Sequence, residues 1–188
     1  QASIADEFVA RVAAQAQNYQ PADPLDGATV MGALVDEAQL KTVLGFIASG
    51  REEGARCVAG GEQVRAESGG YFVAPTIFDG VRNDMKIARE EIFGPVLSVI
   101  RFETEEEAIA IANDSNYGLQ AAVWSTNLNR AHRVARQLRA GTVHVNQYDD
   151  DDITVPFGGV KQSGNGRDKS LHAFDKYTEL KTTWIRLD

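Results

Sequence analysis

Val96-Leu97-Ser98-Val99-Ile100-Arg101-Phe102 is nearly continuously apolar, as a strand covered on both faces should be. Directly after it, Thr104-Glu105-Glu106-Glu107 reads as a capping box ahead of an apolar helical face made by Ala108, Ile109, Ile111 and Ala112. Residues 119–124 read as a second strand. Asn127 or Thr126 can then cap a helix carrying Leu128, Ala131, Val134, Ala135 and Leu138, with Gly141 past its end and Thr142-Val143-His144-Val145 as a third strand. A strand, helix, strand, helix, strand order with right-handed crossovers predicts three parallel strands with their helices on one face. The fold class expected is therefore α/β, an open, largely parallel sheet with flanking helices.

Outward from that stretch, Ser3-Ile4-Ala5-Asp6 resembles a capped helix start, with Ile4, Phe8 and Val12 along one face. The chain opens at Gln1, which suggests a segment taken from something longer. Turn formers crowd residues 20–27, and a second helix is expected over 36–47, closed by Gly50. Two short apolar runs, 56–59 and 71–77, predict strands joined by an exposed loop. At the other end, 176–187 alternates well enough to form a final strand. A terminal strand is often an edge, so residues 178–187 are a candidate subunit contact, with an internal partner as the alternative.

The composition narrows the function. A formal net charge of -8 opposes binding to a phosphate backbone, which depends on Lys and Arg, so nucleic acid is not an expected partner. No run approaches the roughly 20 apolar residues of a membrane helix, and the amino end lacks a basic region followed by an apolar one. A cytoplasmic protein with no membrane partner is expected. One cysteine, Cys57, excludes an internal disulfide, and three isolated histidines offer no zinc spacing, so no metal is expected.

The motifs admit more than one reading. The Gly-rich stretch from Pro156 through Gly158, Gly159 and Gly164 to Arg167 could cradle an anion. Asn165, Gly166 and Lys169 break the formal phosphate motifs, which favours tight turns. The run Asp149-Asp150-Asp151-Asp152 lacks the spacing of a calcium loop. It is either a solvated loop or, since it follows a strand end where open α/β sheets bind ligands, part of a ligand site. Glu90 and Glu91 could do acid-base chemistry or pair with Arg89 or Lys86. Cys57, with no histidine near it in sequence, reads as an inert buried thiol.

Taken together, Arg89-Glu90-Glu91-Ile92-Phe93-Gly94-Pro95-Val96, Ala112-Asn113-Asp114-Ser115-Asn116-Tyr117-Gly118-Leu119, Gly141-Thr142-Val143-His144-Val145-Asn146 and Pro156-Phe157-Gly158-Gly159 with Lys161-Gln162-Ser163-Gly164 resemble the aldehyde dehydrogenase superfamily. The order and separations resemble it too, over essentially the whole chain. The resemblance implies the carboxyl-terminal part of such an enzyme, with residues 1–175 in the catalytic domain and 176–188 as an oligomerisation strand of a homodimer or homotetramer. It implies NAD or NADP as cofactor and a small-molecule aldehyde as substrate. It also implies that the catalytic cysteine and the water-activating glutamate lie upstream, so that the chain alone is inert and no catalytic residue is assigned within it.

Residue by residue, the resemblance carries over Glu91 as the carboxylate that holds the nicotinamide ribose hydroxyls, with Phe93 beside the same ring system. A carboxylate suits a diol because it accepts two charge-assisted hydrogen bonds. Gln39 resembles a position that reaches the adenosine ribose. Asp168 stands where many relatives carry a glutamate implicated in relaying protons, although its side chain is shorter. The loop carrying Asp149, Asp150 and Asp151, with Phe157 beyond it, resembles the lining of the aldehyde's access channel.

At an effective dielectric of about 20, unit charges ~4 Å apart interact by about 4 kcal/mol, enough for one aspartate to select cations. Basic aldehydes are therefore expected. Val155-Pro156-Phe157, Lys169-Ser170-Leu171-His172-Ala173 and Glu179-Leu180-Lys181-Thr182 look most like the γ-glutamyl-γ-aminobutyraldehyde and related aminoaldehyde dehydrogenases of polyamine catabolism. A γ-glutamyl compound also carries a carboxylate, so charge alone does not rank these substrates. A broad-specificity or semialdehyde enzyme with solvated aspartates, and a noncatalytic assembly module, remain as alternatives.

Overall fold

A computed structural model describes residues 1–148 and 152–188, in two compact units, residues 1–107 and 108–188.

The first unit is built on helix α2 (Glu37–Glu52) and strand β4 (Thr76–Asp79). Leu40, Val43 and Ile47 form an i, i+3, i+7 stripe on α2, and they pack with Phe78, Met85, Ile87 and Ile92 in one buried cluster. All four residues of β4 are buried, as its central place requires. It pairs antiparallel with β1 (Arg56–Ala59) and parallel with β5 (Val96–Ser98). A separate hairpin joins β2 (Gln63–Val64) to β3 (Phe72–Val73).

Three details differ from the sequence expectation. Helix α1 (Ala2–Ala16) starts at Ala2 without a side-chain cap, and it buries Ala5, Val9 and Ala16 while Ile4 and Phe8 stay exposed. Helix α2 runs past Gly50, which has no left-handed backbone to end it. Gly50 occupies the buried stripe, where an added Cβ would lie 3.0 Å from Ile87 Cδ1 and 3.1 Å from Phe78 Cζ. Gly54, at φ +92, ends the helix instead. Its N–H donates to Arg51 O while that of Ala55 donates to Gly50 O, the paired bonds of a Schellman turn. The run 71–77 divides at Ala74 and Pro75 into β3 and β4; Pro75 has no N–H to continue a ladder.

In the second unit, β6 (Gln120–Val123), α5 (Leu128–Gln137) and β7 (Thr142–Val145) form the expected parallel βαβ, in register from Gln120↔Thr142 to Val123↔Val145. Asn127 is the cap, accepting from Arg130 N at 3.0 Å. The expected three-strand parallel sheet is divided, since β5 pairs with β4 whereas β6 pairs with β7. Nor is β5 covered on both faces as its apolar run implies, since it spans only Val96–Ser98 and Leu97 is 45% exposed; apolar continuity also carries no information about which strand lies beside it. Helix α4 (Glu105–Asn113) has the expected Thr104 cap, with Glu107 N donating to Thr104 Oγ1 at 3.2 Å, but the return bond is shifted by one residue from a capping box, since Glu103 N donates to Glu107 Oε2 at 2.8 Å. The expected final strand is absent, because residues 178–188 have no strand partner among the described residues and are exposed. No helix among them is long and apolar enough to cross a membrane.

Candidate cofactor and substrate sites

Helix α3 (Lys86–Arg89) feeds a loop that carries Glu90, Glu91, Ile92, Phe93 and Gly94. Three contacts fix it. Glu53 Oε2 accepts from Lys86 N at 2.9 Å, and Ser98 Oγ donates to Ile87 O at 3.1 Å. Ile92 is buried in the cluster with Leu40 and Val43, which pins the middle of the loop to α2. The next residue, Phe93, has φ +53 and is 77% exposed. Gly94 then returns against α2 so closely that an added Cβ would lie 2.6 Å from Val43 Cγ2.

The outcome is an exposed Glu91 carboxylate on one side of a buried isoleucine and an exposed aromatic ring on the other. Among the described residues no hydrogen bond or ion pair engages that carboxylate. A sugar diol and a flat ring fit this pair, one as donors to a carboxylate and the other by stacking. Gln39 reaches the same loop. Its Nε2 donates to Ile92 O at 2.9 Å and to Phe93 O at 3.0 Å. That contact, 53 residues away in sequence, was not legible from the motifs.

The remaining sequence candidates lie in the second unit. Phe157 and Asp168 exchange backbone hydrogen bonds of 2.8 and 2.7 Å, pinching the Gly-rich segment into a closed loop. The Asp168 carboxylate is paired with the Lys176 ammonium, and that hydrogen bond raises the Lys176 pKa. Lys169 Nζ sits 5.5 Å from the centre of the Phe157 ring, so one face of that ring already holds a cation. Asp149, Asp150 and Asp151 lie outside the described residues. Asp152, next to them, accepts from both the N–H and the hydroxyl of Thr154.

The Gly-rich segment itself is structural. Lys161 Nζ donates to Asn113 O and Ser115 O, both at 2.8 Å, and Gly118 N donates to Ser163 Oγ at 3.1 Å. A lysine spent on two carbonyls near the end of α4 is not aimed at a phosphate, and the tight-turn reading accounts for these residues. Cys57 is half-buried, with Sγ 3.3 Å from Ala59 O. No group of three or more His, Cys, Asp or Glu is placed to hold a metal among the described residues.

The aldehyde dehydrogenase family model matches residues 1–183. The chain belongs to the aldehyde dehydrogenase family. The NADP/NAD-dependent aldehyde dehydrogenase PuuC of Escherichia coli K12 is 56% identical over 99% of this chain and 37% of its own length. A solved P. syringae AldA indole-3-acetaldehyde dehydrogenase mutant, in complex with NAD+ and IAA, is 65% identical with a TM-score of 0.95, over 98% of this chain and 37% of that one. The γ-glutamyl-γ-aminobutyraldehyde dehydrogenase of Burkholderia cenocepacia J2315 is 59% identical with a TM-score of 0.93, over 99% of this chain and 38% of that one. The chain thus spans 37–38% of the length of these relatives.

Proposed function

We propose that this chain forms part of an NAD(P)+-dependent aldehyde dehydrogenase that oxidises an aminoaldehyde, γ-glutamyl-γ-aminobutyraldehyde or a similar compound, to its carboxylic acid. The observation that carries this reading is the Glu91–Phe93 loop, an unengaged carboxylate and an exposed ring on a loop anchored to α2 through Ile92. Glu91 would accept from both hydroxyls of the nicotinamide ribose, and Phe93 would pack beside the ring system. The bound cofactor supplies the hydride acceptor. Aldehyde, water and NAD(P)+ become acid, NAD(P)H and a proton, and the residues of this chain hold and orient rather than form the covalent bond. Cys57 does not serve as nucleophile in this reading, because its half-buried thiol is turned to backbone carbonyls. Asp168 keeps its proposed relay role, with its carboxylate paired to the Lys176 ammonium.

The aminoaldehyde preference draws on the likeness to the Burkholderia enzyme and on the acidic run. The likeness to an indole-3-acetaldehyde dehydrogenase, at 65% identity against 59% for the Burkholderia enzyme, favours a second reading, an apolar aldehyde with the aspartates left in solvent. The full-length enzyme decides between them when assayed with γ-glutamyl-γ-aminobutyraldehyde, 4-aminobutanal and indole-3-acetaldehyde. The first reading expects kcat/KM to favour the aminoaldehydes, with Asp150→Asn and Asp151→Asn together costing roughly tenfold on 4-aminobutanal and little on the indole compound. A preference for the indole compound that survives both substitutions sinks it. Glu91→Gln should raise KM for the cofactor in either case.

A further inference from the structure

We infer that Gln39 is a positioning residue that sets the Glu91–Phe93 loop for the nicotinamide half of the cofactor, acting through the loop's backbone. The inference rests on the reading of Glu91 as the ribose ligand and adds to it. It also departs from the sequence expectation that Gln39 reaches the adenosine ribose.

The geometry leads there in three steps. First, Gln39 is itself fixed. Asp36 caps α2, and its Oδ1 accepts from Gln39 N at 2.8 Å, so the side chain leaves the helix from a backbone held in place. Second, the amide nitrogen of Gln39 has two hydrogens, and both have acceptors on successive residues, Ile92 O and Phe93 O, at 2.9 and 3.0 Å. These carbonyls belong to a loop with no ladder to satisfy them, so the glutamine replaces a strand partner. Third, the peptide it grips is the one that turns the loop over. Phe93 holds φ +53, an unfavourable backbone for an aromatic residue, between buried Ile92 and Gly94, which is crowded against Val43. A bond across that turn holds the left-handed residue in place, and with it the direction in which Phe93 and the preceding Glu91 face outward.

Gln39→Leu keeps the approximate volume and removes both donors. Three readouts on the full-length enzyme test the role. Hydrogen exchange of residues 90–95 reads the loop directly. Affinity for nicotinamide mononucleotide reads the half of the cofactor that Glu91 and Phe93 would meet. Affinity for AMP reads the adenosine half, and a general loss of structure would lower it too.

The expected result is faster exchange over residues 90–95, roughly tenfold weaker binding of nicotinamide mononucleotide and AMP affinity within about twofold. Glu91→Gln added to Gln39→Leu should cost less than the product of the two single effects, because both act through one loop. Unchanged exchange over residues 90–95 overturns the inference. So does a loss confined to AMP, which marks an adenosine contact, or an equal loss of both nucleotides, which marks a general structural role. Failure of the underlying ribose reading looks different. In that case Glu91→Gln alone leaves nicotinamide mononucleotide binding unchanged.

Discussion

Asp79 is a carboxylate at 2% exposure at the end of the central strand of the first unit. Burial of a charge is tolerated there because two guanidiniums meet it. Arg101 Nη2 lies 2.8 Å and Arg56 Nη2 2.5 Å from Asp79 Oδ2, and Gly80 N donates to Oδ1. The Arg101 hydrogen bond is the largest cause that lowers the Asp79 pKa from its ordinary value to about 2, against the desolvation that opposes it. Arg101 continues to Asp6 at 2.7 Å, so this one carboxylate ties α1, β1 and the segment after β5 together.

A depressed carboxylate pKa contributes stability that is fully present above the unfolded value, near 4, and is lost as pH falls through about 2. Unscreened, the shift is worth about 2 kcal/mol, and solvent around the exposed Arg56 reduces it to about 1 kcal/mol. Asp79→Asn should therefore lower stability at neutral pH by an amount of that order, and thermal unfolding of the two proteins should converge between pH 4 and 2. A gap that stays constant to pH 2 would mean that packing, not charge, holds this corner.

At the scale of elements, Gly141 shows how the start of β7 depends on a close approach between backbones. An added Cβ there would lie 1.7 Å from Gly158 O and 3.1 Å from Gly159 Cα, and no flexible side chain can yield. Gly141→Ala should cost about 1–3 kcal/mol in denaturant unfolding, whereas Gly27→Ala, with nothing within 4 Å, should stay within about 0.5 kcal/mol. Equal costs would show that the Gly-rich segment simply moves aside.

The same two stretches show what was legible in the sequence. The βαβ of β6, α5 and β7 and the Asn127 cap follow from local chemistry, and both stand where the pattern put them. Gly50 was misread as a helix end because a glycine that stops a helix and one that lets a helix pack closely look alike in a sequence. The backbone angle at Gly54 separates them. The division of β5 from β6 and β7 is a long-range pairing choice, and periodicity carries no information about it. Glu91 and Phe93 are candidates through the family resemblance alone, whereas the Gln39 contact with Ile92 spans 53 residues and has no local signature.

For the molecule as a whole, the segment after Lys176 is the part whose exposure most needs explaining. Residues 178–188 alternate as a strand would, yet they make none, since a strand exists only when its N–H and C=O groups are paired. Leu180, Trp184, Ile185 and Leu187 are each at least 78% exposed, close together in sequence. Burying side chains of this size is worth about 1.5–3 kcal/mol apiece, and an unpaired extended edge is a template for another chain. Removal of residues 178–188 from the full-length protein should therefore lower its mass in light scattering by at least a factor of two. The intact protein should show slow amide exchange over the same residues, as paired backbone requires. An unchanged mass together with slow exchange would assign the partner to the same polypeptide, which is the alternative the sequence left open. Fast exchange would mean that the segment pairs with nothing.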